Sequence, residues 1–315
     1  MIHLLDRRLV FVTGKGGVGK TSVTAALALL AAGQGKRTLC CEVDAKGNLA
    51  DFFESGPTAF DPIEIAPQLF AMSMNTEESL REYLKLQLKI PLLARLGPLA
   101  RSFDFVATAA PGVKEILTVG KLCWEVQQNR YDFVVVDAAA TGHIIGQLAA
   151  PQAINDLVKV GRVRDQTGWL VDILSNPAVT TSVIVSAPEE MPVNETLELA
   201  ARIEAETSVD LAAVIVNRVL PELFGRGEEE IFRRLSEPAY ADALSAHLGS
   251  SSQPLLDSAD LAVTLRRTRT EHLERLREGL RPSLEVMYLP YLFTREHGMR
   301  ATRQLMDALG AELGF

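Results

Sequence analysis

Gly14-Lys15-Gly16-Gly17-Val18-Gly19-Lys20-Thr21 is the stretch whose reading decides the fold. The apolar run Leu9-Val10-Phe11-Val12 before it predicts a short buried strand, and the small apolar residues from Ser22 to Ala32 after it predict a helix. Glycine, four residues and then Gly-Lys-Thr, set between a strand and a helix, is the phosphate-binding loop pattern in the context it requires. The glycines let successive backbone N–H groups turn inward into an anion nest. The helix beyond Gly19 aims its N-terminal partial charge at the same place. Lys20 is placed to bridge the β- and γ-phosphates and Thr21 to bind magnesium through its hydroxyl. Gly14, Gly16, Gly17, Val18, Gly19 and Ser22 complete the expected cradle. A glycine-rich turn that binds nothing is the plain alternative, and pattern, order and flanking elements together count against it. The expected ligands are ATP and magnesium.

Lys15 adds a second cation inside the loop, which cradling phosphate does not require. Lys-Gly-Gly-Val-Gly-Lys-Thr resembles the deviant phosphate loop of the family that includes MinD, ParA, the nitrogenase iron protein and the arsenite-pump ATPase. In that family the extra lysine reaches across a dimer interface to the partner's nucleotide. A unit charge pair at ~4 Å is worth ~1 kcal/mol in water but ~4 kcal/mol at an effective dielectric near 20, so such a lysine acts strongly only when two subunits close and exclude water. A solvated loop lysine is the alternative.

The chain of 315 residues can bury a large core; 47% hydrophobic and 23% charged residues exclude disordered and collagen-like classes. A formal charge of −8 disfavours a general nucleic-acid or anionic-membrane binder. Three cysteines, Cys40, Cys41 and Cys123, form neither a disulfide framework nor a Cys-x-x-Cys pair and read as small core residues of a reducing compartment. The early charges of Met-Ile-His-Leu-Leu-Asp-Arg-Arg do not suit a signal peptide, and no uncharged run reaches the ~18 residues of a spanning helix. A cytoplasmic protein is expected, with peripheral membrane association open.

Beyond the loop, Arg37 to Val43 predicts a strand ending at Asp44, where a carboxylate would orient a water or reach magnesium; a turn-forming Asp is the alternative. Leu69 to Met74 predicts another strand. Residues 76–130 carry leucine-rich helical patterns broken by Pro91, Gly97-Pro98 and Pro111-Gly112, read as a helical insertion within one domain. Its leucines either pack on the sheet or line a groove for a ligand helix. Tyr131 to Val136 predicts a buried strand closing on Asp137, the Walker B pattern in which the carboxylate holds magnesium through water; Gly142 would lend a switch its flexibility. A second helical stretch is expected from Pro151 to Ser175, with Lys159, Arg162 and Arg164 solvated. Strands follow at Thr181 to Ser186, Ala212 to Val216 and Leu284 to Leu289. The Asn217 amide, at the end of one of them, could pair with a purine edge. Gly225 to His247 and Ser258 to Gly279 predict charged helices with Leu261, Leu265, Leu273, Leu276 and Leu280 inward. Alternating strands and helices give an α/β fold, a doubly wound and mostly parallel sheet.

Taken in order, the motifs resemble the arsenite-pump and tail-anchored-protein-targeting ATPase family over nearly the whole chain. They are Gly14 to Thr21, Leu69-Phe70-Ala71-Met72, Asp137-x-x-x-Thr141-Gly142-His143, Ser186 to Pro192, Val216-Asn217-Arg218 and Leu289-Pro290-Tyr291. The resemblance implies a magnesium-dependent ATPase that dimerises around two nucleotides and, in some members, shields a hydrophobic membrane helix. It assigns Lys15 across the dimer, Asp44 to the attacking water, Asp137 to magnesium, and Asn217 with Pro290 to the adenine. Asp44-Ala45-Lys46-Gly47 departs from the family's Asp-Pro-Ala-His, Ala140 replaces a proline, and the paired cysteines after Asn217 are absent. An altered first switch raises a heterodimer with a paralogous ATPase beside the homodimer. Alternatives are a MinD- or ParA-like positioning switch and the soluble ATPase subunit of an anion pump. An iron-protein role would need cysteines that Cys123 does not supply.

Overall fold

The computed structural model describes residues 3–43, 48–88, 112–157, 162–225, 227–294 and 298–315. Among these, the strands β1 (Leu9–Gly14), β2 (Thr38–Glu42), β3 (Ile63–Ala66), β4 (Leu69–Ser73), β5 (Phe133–Ala140), β6 (Thr180–Ser186), β7 (Asp210–Val219) and β8 (Glu285–Pro290) form one sheet. The order is β3-β4-β2-β5-β1-β6-β7-β8, and only the β3–β4 pairing is antiparallel. β1 lies between β5 and β6, and the chain winds to one side of it before β5 and to the other after β6. Ligands of open α/β sheets bind where the winding reverses, outside the carboxyl ends of the strands. The loop after β1 occupies that place.

The helices are α1 (Lys20–Gly33), α2 (Asn48–Phe53), α3 (Thr76–Leu88), α4 (Val113–Gln127), α5 (Thr141–Leu157), α6 (Arg162–Ser175), α7 (Glu190–Glu206), α8 (Glu228–Leu235), α9 (Pro238–Leu248), α10 (Gln253–Gly279) and α11 (Met299–Leu313). The central strands are apolar without interruption because both of their faces are covered. Alternate side chains feed opposite layers: Leu9, Phe11, Val134 and Val136 pack with α4 to α7, whereas Val10, Val12, Phe133 and Val135 pack with α1 and α11. Each such residue, fully removed from water, contributes ~1.5–3 kcal/mol relative to exposure. From Ala25 to Ala32 α1 is all alanine and leucine, since it is sandwiched between the sheet and α11.

Several boundaries depart from the sequence expectations. β3 is an unforeseen, half-exposed edge strand, joined to β4 through Gln68 in the left-handed region at φ 63°. The helix expected from Pro151 begins ten residues earlier, at Thr141, directly off β5; Pro151 lies inside α5 and withdraws one helical hydrogen bond. α6 takes up the described residues again at Arg162, and Lys159, like the leucines from 92 to 99, lies outside them. The 225–247 stretch divides into two helices: Glu228 to Glu230 open α8, Arg233 and Arg234 close it, and Pro238 starts α9, as the helix dipole and the proline ring favour. The inward leucine stripe holds only in the second half of α10. Leu276 and Leu280 are buried, but Leu261 and Leu265 are 59% and 43% exposed because the first half packs only on a small cluster of Phe232, Ala241 and Leu256.

α3 is fastened to α4 by buried charge. Lys121 pairs with Glu125 on its own helix and with Glu82 on α3, each at 2.8 Å, and its ammonium lies over the Phe60 ring. Burial by itself lowers the Lys121 pKa, but its hydrogen bonds to Glu125 and Glu82 raise it above the ordinary value. The three cysteine thiols are free and buried, and burial pushes each of them up, so they serve as core residues.

Gly14 closes β1 with φ +143°, and a Cβ there would stand 2.1 Å from the Val185 carbonyl oxygen on β6. Gly14→Ala should therefore destabilise the chain by ~3 kcal/mol or more, since backbone on both sides must move. Urea unfolding of the two proteins measures this.

Candidate active site

The loop from Lys15 to Gly19 joins the C-terminal end of β1 to the N-terminus of α1. Gly17 and Gly19 take φ +87° and +97°, the left-handed turns that face consecutive amides into one concavity. Gly16 and Gly17 are exposed, whereas Val18 is buried against the α1 layer and anchors the loop from beneath. Lys20, the first residue of α1, folds back so that its Nζ donates to the Lys15 carbonyl at 3.3 Å. Ser22 follows within the first turn.

Thr21 and Asp137, 116 residues apart, meet because β1 and β5 are parallel neighbours. The Thr21 hydroxyl donates to Asp137 Oδ2 at 2.7 Å. Asp137 is buried, two residues deep in the register that pairs it with Val12 of β1 and Glu42 of β2. A hydroxyl and a carboxylate oxygen at one point are hard donors, and so small a protein share suits magnesium, which keeps its other positions for phosphate and water. The residues present fit that ion. Asp44 lies outside the described residues.

Lys15 leaves the loop sideways and forms an ion pair with Glu195 on α7. The other Glu195 oxygen accepts from the Thr141 hydroxyl at 3.4 Å, at the first residue of α5. Sequence reasoning passed over Glu195; the signal was present in its position just inside α7, which starts at Glu190 shortly beyond β6. It also passed over Glu42, a buried carboxylate that accepts from Ser73 at 3.4 Å beside the site.

Asn217 is buried at the end of β7. Its Nδ2 donates to the Val18 carbonyl at 2.9 Å, and its Oδ1 accepts from the Arg218 amide at 2.9 Å. Arg218 adopts φ 62°, and the β7–β8 register slips between Val216 and Val219. Such an irregularity re-aims a side chain, here toward the loop. A Cβ at Gly19 would lie 2.3 Å from Asn217 Nδ2. Asn217 thus braces the phosphate loop with one amide N–H and its own backbone with one lone pair, the amide that could also pair with a purine edge. Pro290 ends β8 one strand further out and lines an open cleft of about 650 Å³ with Glu54, Tyr291, Phe293, Arg300 and Gln304. The structure gathers Lys15, Lys20, Thr21, Asp137 and Asn217 around one loop, and Pro290 pairs with Val219, two residues beyond Asn217.

A family profile described as anion-transporting ATPase matches residues 7–171 and 159–234. The chain belongs to this family. Among relatives of this anion-transporting ATPase family member, ATPase BagA of Mycobacterium tuberculosis is 32% identical over 298 residues, covering 90% of this chain and 86% of that protein. A putative arsenical pump-driving ATPase of Halobacterium salinarum is 24% identical over 267 residues, 78% of this chain but only 40% of the relative. An ATPase ASNA1 homolog of Entamoeba dispar is 26% identical over 257 residues, 67% of this chain and 76% of the relative. The chain is an ATPase of the branch to which its ordered motifs pointed. No helix among the described residues is long and apolar enough to cross a membrane.

If Asn217 braces the loop, Asn217→Ala should weaken ATP, GTP and inorganic triphosphate alike, by ~5- to 30-fold for the one or two hydrogen bonds lost. A loss confined to adenine nucleotides, read by competition with a fluorescent ATP analogue, would instead assign the side chain to the base.

Proposed function

We propose that this ATPase is a magnesium-dependent, nucleotide-driven dimeric switch that handles a hydrophobic helix or a membrane-protein partner. The observation that carries the catalytic half is the Thr21–Asp137 contact at 2.7 Å beside Lys20 at the mouth of a phosphate loop. Thr21 and Asp137 would hold magnesium, which when bound would supply charge neutralisation to the triphosphate. Lys20, leaving the Lys15 carbonyl, would take the γ-phosphate side, and the α1 amides would hold the β-phosphate. Asp44 would orient the water that attacks the γ-phosphorus, the bond to the β–γ bridging oxygen breaking to give ADP and phosphate. Lys15 would complete the site across a subunit interface, where water is excluded and its charge counts for most.

Dimer and client rest on family membership and on the helical layer of α3 and α4. The partner subunit is a second copy or a paralogous ATPase. α11 buries Ala301, Thr302, Leu305 and Leu309 within the fold, so this helix does not hold its apolar face free for a membrane. As the soluble ATPase subunit of an anion pump, two such chains would stand for the longer Halobacterium relative, of which this chain spans 40%. No nucleic-acid partner is expected.

Lys20→Ala should abolish nucleotide binding, and Asp137→Asn should raise the magnesium concentration for half-maximal turnover; isothermal titration and a phosphate-release assay read these directly. Asp44→Asn should bind ATP yet lose turnover by ~10²-fold or more, the scale of removing one group that acts in the transition state. Full turnover in purified Asp44→Asn would remove it from the water-orienting role. Pull-down of the same variant with ATP and magnesium, analysed by mass spectrometry, should recover proteins with single hydrophobic helices. Recovery of a second phosphate-loop ATPase alone would make this chain half of a heteromeric machine.

A further inference from the structure

The geometry points to Glu195 as a positioning residue that stores Lys15 inside its own subunit and must release it before two subunits can close. This inference rests on the reading that Lys15 acts across the interface. One Glu195 oxygen holds the Lys15 ammonium, and the other accepts from the Thr141 hydroxyl. Thr141 is the first residue of α5 and follows β5, the strand that carries Asp137. A single carboxylate on α7 therefore grips both the phosphate loop and the start of the helix behind the magnesium carboxylate.

The two side chains are 28% and 29% exposed, so water screens the pair and keeps it breakable. Glu195 and a neighbouring nucleotide compete for the same ammonium, which must turn out of its own subunit to reach the second. A triphosphate offers several negative charges against one, and closure lowers the local dielectric, so the nucleotide prevails only when the subunits are together. Before that, Glu195 opposes closure by holding the cation back. It touches neither phosphate nor water in this role; it acts through Lys15.

The test is association of the full chain, followed by light scattering across protein concentrations with magnesium and a non-hydrolysable ATP analogue. Glu195→Gln keeps the shape and removes the charge. It should lower the protein concentration for half-maximal association by ~2- to 5-fold, the range that partly exposed ion pairs give. In the Lys15→Ala background the same substitution should produce no shift, which a merely structural glutamate would not reproduce. If Glu195→Gln is misfolded by circular dichroism, Glu195→Ala carries the comparison. Association that is unaltered or weakened by Glu195→Gln, while Lys15→Ala weakens it, overturns the storage role and leaves the cross-interface reading standing. Wild-type association in Lys15→Ala overturns both, and a wild-type chain that never associates with itself overturns the storage of Lys15 against closure of two copies of this chain.

Discussion

The phosphate loop depends on being held from outside itself. Its own residues are mostly glycine, which carries no side chain to fix a conformation and loses the most entropy on ordering. Three external contacts supply what the loop lacks. Gly14 presses against the Val185 carbonyl so closely that no Cβ fits, the Asn217 amide grips the Val18 carbonyl at 2.9 Å, and Val18 is buried in the α1 layer. All three come from β6, β7 and α1, whose positions follow from the parallel sheet, so the fold itself holds the loop concave.

The charges around that nest are paired within the protein in the same spirit. Lys15 rests on Glu195, Lys20 on a carbonyl, and the Thr21 hydroxyl on Asp137. Each of these partners is one that a nucleotide or its metal can replace, since phosphate oxygens are stronger acceptors than a carbonyl and carry more charge than one carboxylate. The surrounding structure is rigid where replacement is not wanted: β1, β5 and β6 are buried on both faces, and Asn217 is fixed by a backbone irregularity and a left-handed Arg218. Local backbone strain of this sort, ~1–3 kcal/mol per residue, is tolerated where it aims a functional side chain.

Away from the nest the structure is looser. The Lys121–Glu125–Glu82 cluster ties α3 to α4 through desolvated charge, which is costly to break once formed but adds little net stability by itself. The first half of α10 and the short helices α8 and α9 share a small apolar cluster and leave Leu223, Ile231, Leu261 and Leu265 exposed.

Much of this was legible in the residues alone. Gly14 to Thr21 with its flanking runs specified strand, loop and helix; the apolar strands closing on Asp137 and Asn217 specified a parallel sheet with its ligand edge; and the ordered motifs specified the family. Those signals are local in sequence, because glycine, helix capping and period-two burial act over a few residues. Which carboxylate faces Lys15, what Asn217 holds, and where α10 stops being buried were decided only by the tertiary structure. Each depends on a contact between segments far apart in the chain, such as 180 residues for Lys15 and Glu195 and 199 for Asn217 and Val18. Strand order brings such pairs together, and no local pattern encodes it.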